Sequence, residues 1–84
     1  KIKKRMTYTI LYQKISEKDF PEGYYYAHIP ALDLTTHGIG IDGAKEAAKD
    51  LLKLWIDEKR EAGEKILPEE LLISKLEIED ALFS

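Results

Sequence analysis

Residues 41–63, IDGAKEAAKDLLKLWIDEKREAG, decide the fold of this chain. Ala44, Ala47, Ala48, Leu51, Leu52, Trp55 and Ile56 recur at the spacing of one helical face, with Lys45, Glu46, Lys49, Asp50 and Lys53 on the wet side. The small residues come first and the large ones later. The N-terminal half of the helix is therefore expected to lie close to its support, with Trp55 filling space further along. Asp42 complements the positive end of the helix dipole, Lys59 and Arg60 suit the negative end, and Gly63 supplies a left-handed stop. One amphipathic helix cannot bury its own face, so the flanking segments have to provide a surface.

Upstream, residues 6–15 (MTYTILYQKI) alternate and are rich in Thr, Tyr and Ile, the signature of a strand. One face carries Met6, Tyr8, Ile10 and Tyr12, the other Thr7, Thr9, Leu11 and Gln13. Residues 16–23, SEKDFPEG, form a polar hairpin connection. The second strand, YYYAHI at 24–29, is stopped by Pro30. Its smaller, more apolar set, Tyr25, Ala27 and Ile29, is expected to face the helix, so Tyr24, Tyr26 and His28 project from the opposite face. Residues 32–37 predict a short third strand. Gly38-Ile39-Gly40 then leads into the helix, and two glycines in three residues imply positive φ or a close backbone approach.

Downstream, residues 64–68 read as a connector and 69–74 as ambiguous between loop and a turn of helix begun at Pro68. Residues 75–79, KLEIE, alternate with Leu76 and Ile78 inward and predict a final strand extending over 75–83. The expected architecture is a single α+β domain over 1–84. It comprises a basic arm (1–5), a three-stranded, mainly antiparallel sheet (6–40), one long helix packed on one face of the sheet (41–63) and the final strand (75–83), in the order β-β-β-α-β.

Composition bounds the function. Eighty-four residues allow one small core, which makes self-association as a dimer or tetramer an expectation. There is no cysteine, which excludes disulfides and thiolate metal sites and suits a reducing cytoplasm. No apolar run reaches the length of a membrane span or a signal sequence. The net charge of −3 speaks against nucleic acid and for a basic partner. Four cations in the first five residues read as a solvated arm.

No catalytic constellation stands out. His28 and His37 are the only imidazoles, Asp33 and Asp42 are the nearest acids, and no ligand spacing joins them, so neither metal nor cofactor is expected. The carboxylates concentrate on the outer helix face and in the tail, away from any cleft, and no serine sits in a nucleophile elbow. The aromatic side chains do concentrate: Tyr8, Tyr12, Tyr24, Tyr25 and Tyr26 all lie on the first two strands. Cross-strand packing beneath the helix accounts for some of them. An exposed set, drawn from Tyr24, Tyr26, His28, Tyr12 and Tyr8, would form a surface for a partner or for self-association.

The run Gly23-Tyr24-Tyr25-Tyr26-Ala27-His28-Ile29-Pro30-Ala31-Leu32, then Thr36-His37-Gly38 and an alanine-rich helix ending Leu54-Trp55, resembles the N-terminal domain of HicB-family antitoxins. Ala27, Pro30, Leu32, Thr36, Gly38, Ala44, Ala48, Leu54 and Trp55 stand where that pattern asks for such residues, if one residue is deleted after Leu32. The family's Pro-Gly-Cys turn is replaced here by Asp33-Leu34, and the threonine before the helix by Gly40. The resemblance covers residues 8–63, with a further strand expected at KLEIE. It implies a partial ribonuclease-H-like fold without catalytic acids, and an antitoxin in stand-alone form that occludes a small basic, RNA-cleaving, HicA-like toxin. Many family members add a DNA-binding unit, for which residues 64–84 leave no room, so direct operator binding is not expected of this chain. The other reading of the same fold is a homo-oligomeric scaffold or regulatory protein with no toxin partner.

Overall fold

The computed structural model describes residues 6–80. Three antiparallel strands, β1 (Leu11–Lys14), β2 (Tyr24–Ile29) and β3 (Leu34–Ile39), form a sheet of order β1-β2-β3, and α1 (Gly40–Glu61) packs against one face of it. The helix and the three-stranded sheet stand as the sequence predicts. No described helix is long and apolar enough to cross a membrane.

The register explains where pairing starts and stops. Leu11 lies opposite His28 and Lys14 opposite Tyr25, so β1 pairs over far less than the ten residues its alternation predicts. Two positions beyond Leu11 the same register would bring Thr9 to Pro30, which has no N–H to give and turns into a 3₁₀ segment, Pro30–Leu32. That turn also moves the third strand two residues downstream of its predicted place at 32–37. It ends at Asp33, whose φ of 53° lies in the left-handed region that Asp tolerates better than most residues.

The two glycines before the helix divide the work that their spacing implied. Gly40 opens α1 at φ 66°, and its N–H donates to the Gly23 carbonyl at 2.7 Å. Gly38 lies in β3 where the first turn of α1 crosses. A Cβ there would come within 2.4–2.6 Å of the backbone of Gly43 and Ala44. This crossing is the close approach that the small residues of the helix permit.

Ala27 and Ile29 from β2 meet Ala44 and Ala48 from α1, all fully buried, with Tyr8, Ile10, Tyr12, Tyr25, Leu32, Leu34 and Leu52 packed around them. The helix ends as expected. Gly63 takes φ 72°, and the N–H groups of Gly63 and Glu64 return to the carbonyls of Arg60 and Lys59, the 5→2 and 6→1 bonds of a Schellman stop.

The tail departs from expectation. Residues 69–74, left open between loop and a turn of helix, carry no helix, and the expected strand at 75–79 joins no sheet among the described residues. The chain is held at its beginning: the Tyr8 hydroxyl donates to the Leu67 carbonyl at 2.6 Å, and the Thr9 N–H and hydroxyl both donate to the Glu69 carboxylate. Beyond this anchor every residue from 70 to 80 is exposed. The alternation of KLEIE is real, but a strand needs a neighbour's backbone groups, and none lies beside it among the described residues. Residues 1–5 and 81–83, the basic arm and the end of the expected strand, fall outside the described residues.

Candidate interaction surface

Because α1 covers one face of the sheet, the other face is open among the described residues. Pairing decides which side chains share it. His28 opposes Leu11 and Thr35, Tyr26 opposes Gln13 and His37, and Tyr24 opposes Ile39. Opposed residues point to the same side of a pleated sheet. The open face therefore carries Leu11 and Gln13 from β1, Tyr24, Tyr26 and His28 from β2, and Thr35, His37 and Ile39 from β3.

Aromatic packing organises one end of this face. Phe20, in the β1–β2 connection, folds back over the sheet and meets Tyr24, Tyr26 and His37 edge-on, with ring centroids 5.6, 6.2 and 5.2 Å apart. Tyr24 and His37 lie 6.1 Å apart across the strand pair. Such geometries set ring edges against ring faces and fix the side chains. The Tyr26 hydroxyl donates to the Glu17 carboxylate at 3.0 Å. That hydrogen bond first, then desolvation and the negative charge of Glu17, push the Tyr26 phenol above the usual tyrosine range.

At the other end, His28 Nδ1 and the Thr35 hydroxyl lie 2.7 Å apart, which fixes the imidazole on the sheet. A shallow depression of about 280 Å³ is lined there by Leu11, Gln13, Tyr26, His28 and Thr35. Ile39, opposite Tyr24 at the aromatic end, stands 66% exposed. The surface combines fixed rings with bare aliphatic side chains. It offers packing and hydrogen bonds. Among the described residues no three His, Cys, Asp or Glu side chains converge as metal ligands would.

Of the five residues singled out from the sequence, Tyr24, Tyr26 and His28 come together on this face. Tyr8 and Tyr12 do not. Tyr12 opposes Ala27, and both tyrosines pack at the margin of the helix-side core. β1 presents Leu11 and Gln13 to the open face and Tyr12 to the covered one, and Tyr8, ahead of the strand, also packs on the helix side, so neither tyrosine belongs to the open face for which it was expected. Phe20 escaped notice because it stands in a polar connection. A single aromatic beside Pro21 in such a loop is the signal that could have marked it. The sequence offers His37 as an imidazole donor and within the run Thr36-His37-Gly38, and its parity with Tyr26 becomes visible once the register is known.

A second concavity, of about 600 Å³, lies at the C-terminal end of α1 between Tyr8, Leu32, Trp55, Lys59, Leu67 and Leu71. Lys59 sits over the Trp55 ring at 5.5 Å and pairs with Glu64 at 3.3 Å, which ties the helix end to the connector. This groove is where the anchored start of the tail rests on the body. Compared with protein-family models, with curated proteins and with solved structures, the chain matches none.

Proposed function

We propose that this chain is an antitoxin-like binding module whose open sheet face docks a small basic RNA-cleaving protein and occludes it. The observation that carries the reading is the uncovered face bearing Phe20, Tyr24, Tyr26 and His37 as one packed aromatic cluster, flanked by exposed Leu11 and Ile39. Rigid aromatic side chains give large contact area at low entropic cost, and they are enriched at protein interfaces. The net charge of −3 favours a basic partner and raises its on-rate at low salt. The resemblance of residues 8–63 to the HicB N-terminal domain supplies the toxin class. On this reading the domain is a ribonuclease-H-like β-β-β-α unit that binds without catalysing, in a reducing cytoplasm.

The test is inhibition. Tagged chain is co-expressed in its host, and a small basic protein recovered with it is assayed for RNA cleavage with and without added chain. Cleavage is expected to stop at stoichiometric chain and to resume when Tyr24→Ala and Tyr26→Ala are combined. Cleavage that the chain does not inhibit, or inhibition indifferent to both substitutions, rejects the reading. A homo-oligomeric protein without a toxin is the second reading, favoured by the apolar side chains that the tail leaves in water.

A further inference from the structure

We propose that residues 75–79 are a strand that completes the sheet of a second copy, adding to the free outer edge of β1, so that two copies exchange tails reciprocally. The tail itself is the first observation. Leu71, Leu72, Ile73, Leu76 and Ile78 are all exposed, Leu72 at 101% and Leu76 at 84%. Aliphatic side chains so close together in sequence are not left in water without a partner surface. Within KLEIE they alternate with Lys75, Glu77 and Glu79, the pattern of a strand with one buried face.

The second observation is the vacancy. The Ile15 N–H donates to the Tyr24 carbonyl, so in an antiparallel pair the alternate residues Gln13 and Leu11 also turn their backbone groups to β2. Tyr12 and Lys14 consequently turn theirs outward, to an edge that no described strand occupies. The core is unfinished on the same flank. α1 lies over β2 and β3, while Tyr8, Ile10 and Tyr12 reach the core only at its margin. A strand placed beside β1 would set Leu76 and Ile78 against Tyr12 and Ile10, extending the apolar layer, and would leave Glu77 on the open side.

The edge of β3 is free as well, but its flank is already covered by the helix, and the tail starts at the other side, bound to Tyr8 and Thr9. The occupant is a second copy because strand and vacancy belong to the same sequence. Within one chain residues 70–80 stand exposed and 75–79 pair with no strand of the sheet, and a two-fold arrangement lets each chain fill the other's gap. Each tail offers several hundred Å² of aliphatic surface, taking about 100 Å² per fully buried side chain. Counting the receiving edges too, reciprocal exchange buries on the order of 1,500 Å², the size of a stable specific interface. The edge used is separate from the aromatic face, so this exchange can fail while the docking reading stands, and the reverse.

Light scattering on the intact purified chain at micromolar concentration is expected to give twice the 9.7 kDa chain mass. In a mixture of isotope-labelled and unlabelled chains, nuclear Overhauser contacts from the Leu76 and Ile78 methyl groups are expected to reach the Tyr12 ring of the other chain. Leu76→Asp with Ile78→Asp should raise the dimer dissociation constant by about 100-fold or more while the helical circular dichroism is kept. N-methylation of the Leu76 amide, introduced by peptide ligation, leaves the apolar surface intact, removes the ladder donor that faces Tyr12 and should weaken the dimer too. A monomer in solution, contacts between Leu76 and Tyr12 within one chain, or a dimer indifferent to both kinds of variant overturns the proposal.

Discussion

The two faces of β2 differ in what they demand of a side chain. On one side Ala27 and Ile29 are fully buried against Ala44 and Ala48, with so little space that β3 must use Gly38 where the helix crosses. On the other, Tyr24, Tyr26 and His28 are half-buried, the tyrosines held by Phe20, Tyr24 also by His37, and Tyr26 and His28 by hydrogen bonds to Glu17 and Thr35. One strand thus carries a close-packed surface, where volume decides, and an adaptable one, where the rings remain available. Stability is concentrated on the first and binding capacity on the second.

Substitutions on the covered face should break that division most strongly. Ile29→Ala removes the largest fully buried side chain and is expected to cost about 2–5 kcal/mol in a denaturant titration. In a domain of this size that approaches the whole stability, about 4–12 kcal/mol. Gly38→Ala tests the opposite fault: its Cβ would meet backbone that cannot swing aside, and a loss of about 1–3 kcal/mol is expected. A Gly38→Ala protein as stable as the parent would show that the helix can ride up at this crossing, and that its first turn is not tightly seated.

On the open face the effects should be smaller and of another kind. Phe20→Ala removes three edge-on ring contacts at the surface and should cost about 1 kcal/mol, with the helix and core unaffected. A larger loss would mean that the aromatic cluster is a second core and not a reserved surface.

The smallest effect concerns pH. The raised Tyr26 phenol means that the folded state disfavours ionisation. Its contribution is therefore present below the ordinary tyrosine range and is lost as pH rises through the raised folded value. Glu17→Gln should bring the Tyr26 transition back toward the ordinary tyrosine value, read from phenolate absorbance, with no change at neutral pH.

How much of this was legible follows from the range of each interaction. The helix was readable to its last turn, because periodicity, end charges and Gly63 are local signals that agree. The split of β2 into Tyr25, Ala27, Ile29 and Tyr24, Tyr26, His28 was readable because strand alternation has a period of two. The face chosen by β1 was not. Both sets of the predicted strand mix apolar and polar residues, and only pairing with β2 sent Tyr12 to the core margin and Leu11 and Gln13 to the open side. Phe20 was hidden for a related reason, since a loop side chain has no periodicity to betray its direction.

By itself, then, the sequence determined the elements and their order from the first strand to the helix, the buried stripe Ala44–Ala48 and the glycine hinge before it. These rest on conformational preferences and on solvation, both of which act over a few residues. The tertiary structure alone decided the register, the membership of the open face, the 3₁₀ turn at Pro30–Leu32 that moves β3, and the absence of a partner beside KLEIE among the described residues. Each of these depends on backbone groups distant in the chain, and the pattern of a strand says that it needs a neighbour without saying which one.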